Sequence, residues 1–274
     1  MKARNLLLTV VIGGAVLAGV ALWYNQQGRP GMVPEREPAA PPVAAQAPAP
    51  TPPASEPAVR YPVRDESAHP IGPPDINAGL IELLGRKAVA TFVLTDDFPR
   101  RLVATVDNLG RSHAPSVLWP IAPTPGRFTV DESGAQANIA AENSSRYTPF
   151  VLLVETIDIR RAVDFYRSVY PLLQNAYQEL GFPRRYFNDR LIEVIDLLLA
   201  TPEPQQAPSV QLLEVRGPVA SQRPWVRYEF TDPALQSLAA GQKILIRVGL
   251  VNERRLKAKL RDFREALTSN AAAR

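Results

Sequence analysis

The run FNDRLIEVIDLLLA, Phe187 to Ala200, is the most apolar helical stretch of the folded part of this 274-residue chain. Leu191, Ile192, Val194, Ile195, Leu197, Leu198 and Leu199 leave it little surface for solvent, so it is expected at the centre of the fold. Gly181-Phe182-Pro183 stops whatever precedes it, and Thr201-Pro-Glu-Pro204 ends it.

Helices flank this run on its N-terminal side. Asp158 is placed to cap a helix over Ile159–Leu180. There Ala162, Tyr166, Val169, Leu173, Ala176 and Leu180 form a stripe at three-to-four spacing, and Pro171 is expected to kink it. A helical stretch from Ala141 to Ile157 comes before, interrupted at Pro149, with Thr148 able to cap its second part. Gly126–Val130 and Gln136–Ala140 flank Asp131-Glu-Ser-Gly134 and read as a small β-hairpin. Residues 111–125 carry four prolines and read as loop. Thr95-Asp96-Asp97 offers N-caps for a helix through Leu109. Asn77–Leu84 reads as a short helix closed by Gly85, and Ala88–Leu94 suits either a helix or a strand.

On the C-terminal side, Ser209–Val215 and Trp225–Phe230 read as a short strand pair. Val226, Tyr228 and Phe230 alternate with Arg227 and Glu229. Asp232-Pro233 opens a short helix. Lys243–Val248 is read as helix, with strand the alternative. Asn252 is expected to cap a last helix through Leu267, striped by Leu256, Leu260, Phe263 and Leu267. The fold class is therefore mainly α (α+β): one helical domain over 75–267 with a hairpin and a strand pair, and a disordered tail at 268–274. No internal repeat is visible.

The first 74 residues differ in kind. Leu6 to Tyr24 is uncharged, follows Lys2 and Arg4, and ends in Trp23-Tyr24. At about 1.5 Å per residue it spans roughly 28 Å, close to a bilayer core. Residues 1–27 are expected to be a single-pass transmembrane anchor with its start in the cytoplasm. The alternative is a signal peptide cut after Ala21. Residues 28–74 carry 14 of the 28 prolines and read as a disordered Ala/Pro-rich tether, with His69 solvated in it.

Composition excludes several chemistries. There is no Cys and there are two His, so disulfides, thiolate nucleophiles and multi-histidine metal centres are out. From Asp75 onward 25 basic side chains face 22 acidic ones, too even to argue for a nucleic-acid partner. Gly110-Arg-Ser-His-Ala114 departs from the nucleophile-elbow pattern at Ala114, which leaves His113 a surface residue. No phosphate-cradling glycine motif occurs.

At the level of whole motifs the chain resembles a bacterial family, domain of unknown function 3014. The resemblance is carried by Gly181 through Pro204, Ala104-Thr-Val-Asp-Asn-Leu109, Tyr170-Pro-Leu-Leu-Gln174, Tyr228 through Leu235 and Ala240-Gly-Gln-Lys243. It covers residues 75 to 267. It implies a layout of membrane segment, proline-rich tether and domain, and no known activity, substrate or cofactor.

Three groups of residues are candidates for function. Arg184, Arg185, Tyr186, Asn188 and Asp189 surround a helix start. They suit an anion, glycan or partner contact, or plain capping by Asn188 or Asp189. Asp189, Glu193 and Asp196 share one helix stripe, which suits a divalent cation or acid–base work. Their plainer reading is a solvated face, or pairing with Arg184, Arg185 and Arg190. Arg254, Arg255, Lys257, Lys259, Arg261 and Arg264 make the last helix basic and amphipathic, which suits acidic lipid. Phe165, Tyr166, Tyr170 and Tyr177 lie at helical spacing and are read as core.

Together these lead to the expectation of a non-enzymatic binding or scaffolding module on the periplasmic side of a bacterial inner membrane. An envelope protein or anionic polymer is its expected partner. No catalytic residue, metal or cofactor is expected. The alternative is an envelope enzyme or cation-binding domain using Asp189, Glu193 and Asp196.

Overall fold

Nine α-helices and two antiparallel strand pairs make up the described residues of the protein. The structure, a computed structural model, describes residues 58–63, 69–213 and 223–269. Among these no helix is long and apolar enough to cross a membrane, and the expected span Leu6–Tyr24 lies outside them.

The helices are α1 (Ile76–Leu84), α2 (Arg86–Phe92), α3 (Phe98–Leu109), α4 (Glu142–Thr156), α5 (Ile159–Glu179), α6 (Phe187–Leu199), α7 (Pro233–Gln236), α8 (Ala240–Arg247) and α9 (Leu250–Ser269). The strands are β1 (Val130–Asp131), β2 (Asn138–Ile139), β3 (Val210–Leu212) and β4 (Tyr228–Phe230). Helix α6 packs against α3, α5, α8 and α9, the central place its apolar pattern predicts. Phe187 and Ile192 are sealed from solvent, with Val194, Ile195 and Leu198 buried beside them. Lys243–Val248 is helical, with Val248 closing the last turn.

Two apolar clusters meet at α8. Leu245 belongs to the main core, with residues of α1, α2, α3, α5, α6 and α9. Its neighbour Ile246 packs with Ile139, Val210 and Phe230 from the strands. Successive helix residues diverge by about 100°, so one short helix serves both cores. Gly241 lets α8 come this close: a Cβ there would stand 2.6 Å from Leu198 Cδ2 and 3.0 Å from the Leu109 carbonyl.

Several local expectations are corrected. On α5 the buried face is Val163, Tyr166, Val169, Leu173, Ala176 and Tyr177, while Leu180 is 44% exposed. The larger side chains Val163 and Tyr177 bury more apolar area than Ala162 and Leu180 would, so the helix rolls toward them. Pro149 does not interrupt α4. The helix runs through it, and the Thr148 hydroxyl donates back to the Ser144 carbonyl (3.1 Å) instead of capping. Asp97 precedes α3 in a left-handed conformation (φ 53°) and accepts no capping bond. Asn252 lies inside α9. Its amide donates to the Ser144 and Val248 carbonyls, because Gly249 (φ 88°) starts that helix earlier.

The ambiguous stretch 88–94 is both things at once. Helix α2 ends at Phe92, and Val93 then bridges to Ile121 as a strand would. The strands are shorter than expected: Trp225 and Val226 sit in a 3-10 turn ahead of β4, and Val215 lies outside the described residues. Helix α9 continues to Ser269, two residues past the expected end.

Packing also begins before Asp75. Tyr61, Val63 and Ile71 rest on the main core, and the Ile71 amide donates to the Ser168 carbonyl (3.1 Å). His69 is exposed, as expected.

Burial ranks the positions of the bundle. Ile192→Ala is expected to cost about 2–5 kcal/mol, and Leu180→Ala under about 1 kcal/mol. Urea denaturation of both variants checks the order.

Candidate functional site

The start of α6 holds five of the sequence candidates and divides them. Asn188 is 1% exposed. Its side-chain carbonyl accepts from the Tyr166 hydroxyl (2.9 Å), and its amide donates to the Tyr61 carbonyl (2.8 Å). The Asp189 carboxylate accepts from the backbone N–H groups of Arg60 (3.0 Å) and Tyr61 (2.8 Å). A strap from the proline-rich segment therefore lies on these two residues. Neither caps the helix; the Phe187 N–H is taken by Gln174 Oε1 (2.9 Å). Arg184, Arg185 and Tyr186 are exposed beside the strap.

The acidic stripe is dispersed in the same way. Asp189 holds the strap, Glu193 pairs with Arg190 (3.3 Å), and Asp196 pairs with Arg264. Arg184 and Arg185 take no part. Among the described residues no group of three or more His, Asp or Glu is arranged to hold a metal ion.

The basic helix is mostly spent inside the fold. Arg254 pairs with Glu203 (2.8 Å) and Arg255 with Glu155 (3.6 Å). Buried Lys257 reaches Glu203 (3.0 Å) and the Thr201 carbonyl, and Lys259 donates to the Ile157 carbonyl (2.9 Å). Glu253 is 1% exposed, with Lys257 Nζ 3.2 Å away in an ion pair that lacks hydrogen-bond geometry. Burial pushes the Glu253 carboxyl above its ordinary pKa, against the opposing pull of Lys257. Hydrogen bonds from Arg254 and Lys257 hold the Glu203 carboxyl below the usual range. This network ties the segment after α6 to α9.

A different place, assembled from distant residues, has the character of a binding site. The loop 111–125 has four prolines, which lack an N–H, and side chains meet several of its carbonyls. Two arginines meet them. Arg101 donates to the Val117 (2.8 Å) and Trp119 (3.2 Å) carbonyls from α3. Arg146 donates to those of Pro125 (3.0 Å) and Gly126 (3.1 Å) from α4. The loop is also clipped to α2 by Leu94 N–H to Pro120 O (2.8 Å) and Ala122 N–H to Phe92 O (2.9 Å).

Held so, the loop forms one wall of a cleft of about 440 Å³. Trp119, Phe128, Tyr147, Trp225 and Tyr228 line it, with Arg146 and Arg247 among them. Arg127 lies over the Trp225 ring (4.1 Å). A second lobe of about 590 Å³ adjoins it, sharing Trp119, Tyr228 and Arg247 and adding His113, Glu229 and Lys243.

Arg247 stands where the lobes meet. It donates to the Tyr228 carbonyl (3.1 Å), lies over the Phe230 ring (4.5 Å), and makes no carboxylate ion pair among the described residues. Burial holds its pKa below the usual arginine value; Lys243 is lowered for the same reason and by the charge of Arg247. The Trp119 indole N–H is buried without an acceptor. Sequence reading missed this cleft. It read His113 as a surface residue and Tyr228 and Lys243 only as parts of family motifs, and the cleft is joined only by the fold.

The chain matches, over residues 98–264, the family described as "Protein of unknown function (DUF3014)". It belongs to that family. The match to the family takes in the loop, the cleft and α6, and leaves out the strap at residues 58–63. No curated protein and no solved structure matches the chain.

Two outcomes test these assignments. Asp189→Ala is expected to cost about 1–3 kcal/mol and to speed tryptic cleavage after Arg60; unchanged cleavage would mean the strap is not held there. Glu253 binds its proton more tightly in the folded state, so its ionised form opposes folding once pH exceeds its ordinary value. Glu253→Gln should therefore gain melting temperature relative to the parent as pH rises from about 4 to about 8, and a flat difference would refute the assignment.

Proposed function

We propose that the protein is a non-enzymatic binding module, tethered to a bacterial inner membrane by Leu6–Tyr24 and held on the periplasmic side by its proline-rich segment. It binds an envelope protein or polymer in the cleft of Trp119, Trp225 and Arg247. The cleft carries this reading. Its size suits a ligand site, its wall is aromatic, and its central arginine makes no ion pair among the described residues. The uncharged run behind Lys2 and Arg4 supports the anchor. Because Asp189, Glu193 and Asp196 each serve a different partner, the enzyme or cation-binding alternative has little support. A lipid-facing α9 is disfavoured by the internal bonds of its Lys and Arg side chains.

Crosslinking in intact cells, purification of the full-length protein and identification of what comes with it form the test. A reproducible envelope component should be captured, retained when Arg184 and Arg185 become Glu, and lost in Trp225→Ala and Arg247→Gln. The reverse pattern would move the site to the start of α6. Recovery of the protein alone, with efficient crosslinking controls, would sink the binding-module reading.

A further inference from the structure

Resting on the reading that the cleft binds a ligand, we propose that the ligand is an acidic glycan, its sugar rings stacked on the cleft's aromatic side chains and a carboxylate set on Arg247. Three features of the cleft select this chemistry.

The first is shape. The two lobes meet at Trp119, Tyr228 and Arg247, so the site is elongated and takes a chain-like ligand running past one central cation. The second is surface. A pyranose ring has an apolar C–H face and a hydroxyl rim. The rings of Trp119, Tyr147, Trp225 and Tyr228 offer flat apolar partners for the face, and Phe128 packs on Tyr228 with centroids 5.6 Å apart. The third is charge. Arg247 uses one N–H on the Tyr228 carbonyl and keeps most of its planar fork for a carboxylate. A partly buried guanidinium that makes no ion pair among the described residues gains more from such an anion than an exposed one does.

The same observations disfavour the other polymers. An extended peptide binds a sheet edge through backbone pairing. The outer edge of β4 is closed, since Arg247 fills the Tyr228 carbonyl and the Phe230 N–H donates to Gln236 Oε1 (3.1 Å). A polynucleotide needs a stripe of exposed cations along its phosphates. Here Arg146 is tied down by the Pro125 and Gly126 carbonyls and by Asn143 of its own helix, so it is not free to follow a phosphate chain.

The test uses the full-length protein purified in detergent, with binding read by calorimetry and by tryptophan fluorescence. The probes are a galacturonic-acid hexamer, its methyl ester, a hexaglutamate peptide and a single-stranded oligonucleotide. The acidic hexamer is expected to bind and to quench tryptophan emission. Methyl esterification, which keeps the sugar faces and removes the charge, should weaken binding about tenfold or more. Arg247→Gln and Trp225→Ala should each do the same, with melting temperatures reported beside them; the ester comparison needs no variant and stands even where a variant fails to fold. Equal binding of acid and ester, or no binding of the acid, would overturn the glycan assignment. So would tighter binding of the peptide or the oligonucleotide. If the glycan fails while cellular capture still depends on Arg247 and Trp225, only the ligand class is wrong; if both fail, the cleft is not the site.

Discussion

Helix α6 can occupy the middle of the bundle only because its polar first turn is satisfied from several directions. A helix start leaves N–H groups without intrahelical partners, and a buried amide left unbonded costs about 1–3 kcal/mol. Here Gln174 takes the Phe187 N–H, Tyr166 meets Asn188, and Asn188 reaches on to the Tyr61 carbonyl. Asp189 then receives the two N–H groups of Arg60 and Tyr61. The strap is thus a structural partner of the central helix, and its fixed place sets where the proline-rich segment leaves the folded part.

Arginine does two kinds of work in this protein. Arg101 and Arg146 serve as partners for backbone carbonyls of a proline-rich loop short of N–H donors. Arg190 bonds Asp107 side chain and backbone between α3 and α6, passing so close to Gly110 that a Cβ there would stand 2.7 Å from its Nη2. Exposed ion pairs such as Arg100–Glu179 add little beside these, because water screens them and both side chains must be ordered. Arg247 belongs to neither group. It is held by one carbonyl and one ring, and it faces a cleft.

Local pattern and tertiary demand parted at identifiable residues. Asn252 and Thr148 were read as caps because such side chains often bond a nearby helix start. In the fold both are drawn to the Ser144 carbonyl, and the helix ends lie elsewhere. On α5 the expected Tyr166, Val169, Leu173 and Ala176 are buried and only the ends of the stripe differ, since Ala162 and Val163 both fit it and only the neighbouring helices choose between them. The start-of-α6 candidates were legible because they are contiguous. The cleft was not, because Trp119, Tyr147, Trp225 and Arg247 come from four separate segments.

The sequence by itself determined the mainly helical class, the central helix, the stop signals at Gly85 and Gly181, and the family. These rest on short-range periodicity and backbone sterics, which contiguous residues carry. Tertiary structure alone decided what the polar residues do. Asp189, Glu193 and Asp196 share a stripe yet serve three partners, and His113, read as a surface residue, borders a cleft built from distant segments. A charge or a hydrogen-bonding group is specified by what folding brings beside it, and that neighbour is rarely its neighbour in the chain.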